Sequence, residues 1–313
     1  MKSGVVTQSL LEAIGNTRLF RLRQMVPDTH ARILLKLEYE NPTGSMKDRM
    51  ALAMIEAAER DGRLRPGGSV VEYTGGSTGV SLAFVCAAKH IPLEIVTSEA
   101  ASKEKRDHMK ALGARLHMVP APSGGTTKAL VMNMIETARG LAAKPGSYWT
   151  DQLNNTDPLQ AYEAMGEEVW KQTEGRVTAF VQSVGTGGSL RGVATSLRRH
   201  EPDIRVVAVE PAESAVLSGH PSGSHKIEGA GAGFVVPLWV QGLANAIEIV
   251  STQEAMETAR QLARVEGIFA GTSTGANVTV ALRLAEQLGP EASIVTLAVD
   301  SGMKYLSTEL YSP

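Results

Sequence analysis

Asn41-Pro42-Thr43-Gly44-Ser45-Met46-Lys47-Asp48-Arg49 is the stretch whose reading decides the fold of this chain. Ile33-Leu34-Leu35-Lys36-Leu37 before it is apolar and suits a strand. Asn-Pro then marks a turn, because the proline ring fixes its own φ and biases the preceding residue away from helix. From Met46 to Arg60 the chain is rich in Ala, Met and Glu, with Met50, Ala53, Met54 and Ala57 at helical spacing. Lys47 therefore falls in the first turn of a helix. The partial positive charge there disfavours a cation and lowers the pKa of an amine, which suits a nucleophile or an imine-forming lysine.

Outward from this turn, strand and helix patterns alternate. Ser69–Tyr73, Leu93–Thr97 and Arg115–Val119 read as strands. Thr78–Lys89, Ser102–Leu112 (closed by Gly113) and Thr126–Ala142 read as helices. Gly140–Gly146, with Pro145, is a plausible boundary, after which the alternation restarts. Helices are predicted at Pro158–Thr173, Gly188–Arg199, Thr252–Glu266 and Gly275–Leu288, and strands at Ala179–Gln182, Val206–Val209 and Ser293–Val299. A short helix is expected near Leu10–Ile14. The β-α-β-α order predicts an α/β chain with mainly parallel sheets covered by helices. Ligands in such folds bind beyond the carboxyl ends of the strands. Residues 211–246, rich in Gly, Pro and Ser, are too long for a plain connection and read as functional.

Composition narrows the classes. With 31 Lys and Arg against 33 Asp and Glu, the 313-residue chain carries a net charge of −2 and no run of one sign, so it lacks the footprint of a nucleic-acid or acidic-membrane binder. No apolar run approaches the length of a membrane span, and the N-terminus has no signal-peptide core, so a cytoplasmic location is the expectation. A single cysteine, Cys86, sits in an apolar helix and reads as core. It excludes an intrachain disulfide and a cysteine metal cluster, and no metal is expected.

Three further strand-to-helix turns share the plan of the Lys47 turn: Thr74-Gly75-Gly76-Ser77-Thr78-Gly79, Gly185-Thr186-Gly187-Gly188-Ser189 and Gly271-Thr272-Ser273-Thr274-Gly275. Glycine lets the backbone approach a ligand, and the helix that follows turns free N–H groups toward an anion. One such turn alone is most often a helix cap. None reads as a phosphate-binding Gly-x-x-x-x-Gly-Lys-Ser/Thr loop, and the 185–189 turn lacks the third glycine and the acidic residue of the dinucleotide fingerprint.

Taken in order, these turns resemble the cysteine synthase and cystathionine β-synthase family, pyridoxal 5′-phosphate (PLP) enzymes of fold type II (tryptophan synthase β-like), over nearly the whole chain. The resemblance implies two three-layer αβα domains with the active site in the cleft between them. The smaller would span residues 40–145; the larger, residues 1–39 and 146–313. It implies that Lys47 carries PLP as an imine and takes the substrate's α-proton. Gly185, Thr186, Gly187, Gly188 and Ser189 would hold the cofactor phosphate, and Ser273 the pyridine nitrogen. Thr74, Gly75, Gly76, Ser77, Thr78, Gln152 and Gly229 would hold the substrate, with Ser77 also near the cofactor. The segment His225–Phe234 would line the mouth of the cleft, and a homodimer is expected.

The implied reaction is β-replacement on an O-activated L-serine, either O-acetylserine or O-phosphoserine, by a sulfur nucleophile. Cystathionine synthesis, serine or threonine deamination, racemisation and a catalytically idle partner or sensor are the alternatives. A departure bears on that choice. Where the family reads Thr-Ser-Gly-Asn-Thr-Gly, this chain has Gly75 in place of Ser and Ser77 in place of Asn, which trims the wall near the substrate's β-carbon and leaves leaving group and nucleophile open.

Overall fold

The computed structural model describes residues 6–121 and 126–312. The reading of the N-terminus over residues 1–5 lies outside them. In chain order the elements are β1 (Leu19–Arg21), β2 (Arg32–Lys36), α1 (Lys47–Asp61), β3 (Ser69–Tyr73), α2 (Ser77–Ala88), β4 (Leu93–Ser98), α3 (Lys103–Ala111), β5 (Arg115–Val119), α4 (Lys128–Ala142) and β6 (Ser147–Trp149). These are followed by α5 (Pro158–Gln172), β7 (Ala179–Ser183), α6 (Gly188–His200), β8 (Arg205–Pro211), β9 (Ala246–Val250), α7 (Thr252–Gln261), α8 (Thr272–Leu288) and β10 (Ser293–Leu297).

Two sheets result. One has the order β5-β4-β3-β6, all parallel. The other has the order β1-β2-β10-β7-β8-β9, parallel except for β1, which runs antiparallel to β2. Their central strands are continuous apolar runs. Val70, Val71, Ile95 and Val96 in one sheet, and Phe180, Val181, Ile294 and Val295 in the other, are fully buried. Helices cover both faces of such strands, so they lose the polar-apolar alternation of a half-exposed sheet. Among the described residues no helix is long and apolar enough to cross a membrane.

Several elements differ from expectation for local reasons. Ser147–Trp149, past the boundary expected at 145, is the fourth strand of the smaller sheet, paired with β3; three residues are too few to show a period. Leu10–Ala13 is a single 3-10 turn. The helix expected over Thr252–Glu266 is α-helical only to Gln261; its last turn, Leu262–Glu266, widens to a π-turn before Gly267, which lies in the left-handed region (φ 71°). The last helix begins at Thr272 rather than Gly275, so Ser273 lies inside its first turn.

The motif around Lys47 organises the junction between the sheets. Thr43 donates to Asp48 through its N–H (2.8 Å) and its hydroxyl (2.5 Å), which closes the turn. Buried Arg49 donates to both oxygens of Glu38 (2.8 and 2.9 Å) and of Glu168 on α5 (2.7 and 2.8 Å). Lys36 on β2 adds a 2.6 Å pair to Glu168. This ionic lattice fixes where α1 begins, and therefore where Lys47 stands.

Candidate active site

A single cavity brings together Lys47, Thr74, Gly75, Gly76, Ser77, Thr78, Gln152, Gly185, Thr186, Gly229 and Ser273. Its walls come from the carboxyl ends of strands in both sheets. Gly187, Gly188 and Ser189 follow at the start of α6 and are not among its lining residues. Ser189 is buried, with its hydroxyl accepting from Gln182 Nε2 at 2.5 Å.

Lys47 is buried at the first position of α1, and its pKa is lowered to about 8. Burial is the main cause. The Asp300 carboxylate works against it, while the ammonium groups of Lys304 and Lys105 add to it. The sequence pointed to the helix terminus as the source of such a shift; withdrawal from water is the larger effect, because a buried ammonium loses its hydration. An amine near pKa 8 keeps an appreciable neutral fraction at neutral pH, which imine formation and proton abstraction both require.

Hydrogen bonds tie the Thr74–Thr78 turn to itself and to Gln152. Thr74 Oγ1 accepts from Gly76 N–H (3.0 Å), and Thr78 Oγ1 donates to Gln152 Oε1 (2.9 Å). Gln152 Nε2 donates to Tyr73 O (2.7 Å). Behind them lies Glu72, fully buried on β3. Its carboxylate accepts from Thr150 Oγ1 (2.5 Å), Gln152 N–H (2.9 Å) and Tyr73 N–H (2.8 Å). Burial nevertheless raises its pKa to about 7 against the pull of those donors.

The trimmed positions differ from each other. A Cβ at Gly75 would meet nothing within 4 Å, so that part of the wall is open. Ser77 is tied down: its hydroxyl donates to Asp300 Oδ2 (2.9 Å). Asp300 also accepts from the Tyr305 hydroxyl (2.9 and 3.1 Å). Lys105 on α3 donates to Glu228 Oε2 (2.6 Å), stands 3.9 Å from Asp300 Oδ2 and lies over the Tyr305 ring at 3.9 Å. Lys105, Glu228, Asp300 and Tyr305 all line the cavity; the sequence reading placed Glu228 within the segment expected at the cleft mouth, without a role of its own, and missed the other three. Asp300 had a signal, since it follows a strand at its carboxyl end. Lys105 had none, because it looks like any charge on an amphipathic helix.

The cradle fits a phosphorylated cofactor. Gly187 sits in the left-handed region (φ 86°) at the N-cap of the thirteen-residue α6, with no side-chain cap to occupy the helix's free N–H groups. A Cβ on Gly185 would come within 2.1 Å of Gly229 O, so only glycine lets the two cavity walls meet there. A family model described as "Pyridoxal-phosphate dependent enzyme" matches residues 10–300. The chain belongs to this family. Pyridoxal 5′-phosphate is its cofactor.

Members of the family with curated names or solved structures lie close to this chain. A "Cysteine synthase" of Staphylococcus aureus is 41% identical over 306 residues, 97% of each chain. The crystal structure of cysteine synthase (OASS) from Entamoeba histolytica superposes with a TM-score of 0.92 at 34% identity, covering 99% of this chain and 92% of that one. An O-acetylserine dependent cystathionine beta-synthase from Helicobacter pylori gives 0.91 at 31% identity, covering 98% of this chain and 100% of that one. The two solved relatives share the two-sheet architecture described above, which is fold type II.

Proposed function

We propose that this enzyme catalyses β-replacement on O-acetylserine with a sulfur nucleophile, forming cysteine. The observation that carries the reading is the placement of a buried lysine of lowered pKa, Lys47, in one cavity with the Thr74–Thr78 turn, the Gly185-Thr186 turn and Ser273. The naming of the Staphylococcus aureus and Entamoeba histolytica relatives as cysteine synthases supports it.

In this reading Lys47 Nζ holds the cofactor and then accepts the substrate's α-proton. Gly185–Ser189 and the α6 N–H groups would hold the phosphate, and the Ser273 hydroxyl would serve the ring nitrogen. When bound, PLP supplies the electron sink for the substrate's Cα. A serine hydroxyl beside the ring nitrogen would not stabilise a protonated ring as a carboxylate would, which suits elimination better than transamination. Thr74, Gly75, Gly76, Ser77 and Thr78, with Gln152, hold the substrate carboxylate, and Gly229 closes the opposite wall. The proposal includes the two-domain division at the cavity, with Ser147–Trp149 counted to the smaller domain, a homodimer and a cytoplasmic place of action.

A matrix of O-acetylserine and O-phosphoserine against sulfide, thiosulfate and homocysteine, with products identified by mass spectrometry, tests this directly. Cysteine from O-acetylserine and sulfide at the highest kcat/KM is the expected result. Cystathionine as the preferred product, or turnover of serine and threonine alone, would replace the proposal with one of its rivals.

A further inference from the structure

Among the described residues that line the cavity, Lys47 and Lys105 are the two cations. Lys47 holds the cofactor and moves the α-proton; Lys105 has no part in those steps. Lys105 is 1% exposed, so its ammonium is largely withdrawn from bulk water. An ammonium has three N–H donors. Glu228 Oε2 takes one of them at 2.6 Å. The Asp300 oxygen at 3.9 Å is beyond hydrogen-bond reach, and the Tyr305 ring face offers only a cation–π contact. The side chain also runs against the substrate turn: a Cβ on Gly76 would lie 3.4 Å from Lys105 Nζ. A dry cation with donor capacity to spare therefore stands beside the turn assigned to the substrate, and the missing side chain at Gly75 leaves space on that same turn.

We propose that Lys105 is a further catalytic residue, which donates a hydrogen bond to the anionic oxygen of the group leaving the substrate's β-carbon. This rests on the β-replacement reading. In the elimination half, the α-proton passes to Lys47 Nζ and the electrons of the Cα–H bond form the Cα–Cβ double bond. The Cβ–O bond breaks, and its electron pair departs on oxygen as acetate, or as phosphate from the phosphorylated substrate. Negative charge thus appears on an oxygen that was neutral or less charged before. A fixed cation accelerates a step that creates an anion and retards one that consumes it. The entering hydrosulfide loses its charge on adding to carbon, so Lys105 serves the departure and not the attack. Glu228 is then a positioning residue, which holds the ammonium in place through the 2.6 Å contact.

The test uses the PLP-loaded enzyme and separates the half-reactions by the change in cofactor absorbance. Lys105→Gln should slow the first half-reaction with O-acetylserine by roughly 10²-fold, the loss typical of one preorganised donor. With β-chloroalanine, whose chloride is a far weaker base, the slowing should stay below about threefold, because little hydrogen-bond help is needed. Sulfide addition should be no slower, and faster to the extent that the fixed cation holds back the entering anion. Independently of turnover, calorimetric titration of the resting enzyme with acetate should show an affinity about tenfold weaker in the variant. O-phosphoserine in parallel tells whether a phosphate leaving group uses the same donor. Because Lys105→Gln alone leaves the half-buried Glu228 carboxylate unpaired, the double variant Lys105→Gln/Glu228→Gln is made alongside, with the same kinetic result expected. Equal slowing with both leaving groups, slowed sulfide addition, or unaltered acetate affinity would each overturn the assignment. If the wild-type enzyme gave no absorbance change with O-acetylserine, the functional reading would fall; a normal change matched by the variants would remove Lys105 alone.

Discussion

Glu72 is the site's most exacting structural element, and Glu72→Gln measures how it is held. Its pKa moves from 4.5 to about 7, which at about 1.4 kcal/mol per unit is roughly 3 kcal/mol of folding free energy. The sign follows from linkage. Below pH 4.5 the acid is protonated both folded and unfolded, and no penalty exists. Between 4.5 and 7 the folded protein holds a proton that the unfolded chain has lost, and the penalty grows with pH. Above 7 both forms are ionised and the full cost is present. Replacement by Gln removes that charge but turns one acceptor oxygen into a donor. The amide must then face either the Tyr73 N–H or the Gln152 N–H, at a cost of about 1–3 kcal/mol. At pH 8 the relief offsets the lost bond, and the variant should melt close to the wild type or slightly above it. At pH 5.5 the wild type has recovered about 2 kcal/mol of its penalty, and the variant should melt lower. At roughly 2 °C per kcal/mol for a chain of this size, the Tm difference should swing by about 4 °C between the two pH values. Thermal melts of both PLP-loaded proteins read this directly, and a Tm difference independent of pH would refute the reasoning. Because Glu72 also anchors Gln152, KM for the amino-acid substrate should rise severalfold with a smaller change in kcat.

Three other variants probe the rest of the assembly. Lys47→Ala should abolish turnover, and borohydride reduction of the wild type followed by peptide mapping should place the cofactor on Lys47; label on Lys36, Lys105 or Lys304 would refute the assignment. Gly185→Ala would drive a methyl group into Gly229 O, 2.1 Å from the Cβ position, so PLP should be lost on dialysis from a chain that still folds; full retention would mean that the two walls can part without cost. Arg49→Met leaves the buried Glu38 carboxylate and the half-buried Glu168 carboxylate without their main partner, and should cost about 3–5 kcal/mol in urea unfolding; a loss under 1 kcal/mol would show the lattice to be dispensable.

What was legible in the sequence was whatever is written locally. A strand, a Gly-Ser-Thr turn and a helix follow one another at the turns after β2, β3 and β7, so the fold was readable there; the Gly271–Gly275 turn, expected to follow a strand, instead follows the π-turn Leu262–Glu266 and a lone bridge at Ala270. The two short strands β6 and β9 could not, because three to five residues at a sheet edge show no period and owe their place to a partner strand. The charged wall was illegible for a different reason. Lys105, Glu228 and Asp300 lie far apart in the chain and meet only because α3, the 212–245 segment and the end of β10 converge on one cavity.

The same convergence changes how the substitutions in the Thr74–Thr78 turn are to be read. Viewed as sequence, Gly75 and Ser77 both trim a wall, and the cavity should simply be larger. In the structure they part ways. Gly75 leaves open space, whereas the Ser77 hydroxyl is committed to Asp300, which also accepts from Tyr305. An asparagine at position 77 would need room where Asp300 now approaches. Restoring Ser at 75 alone should therefore be accommodated, while Ser77→Asn should break the contact to Asp300 and disturb Lys105 beside it. By this reasoning the choice of substrate should turn less on the volume the turn leaves free than on Asp300, which the other sheet brings up to it, and on Lys105 beside it on α3.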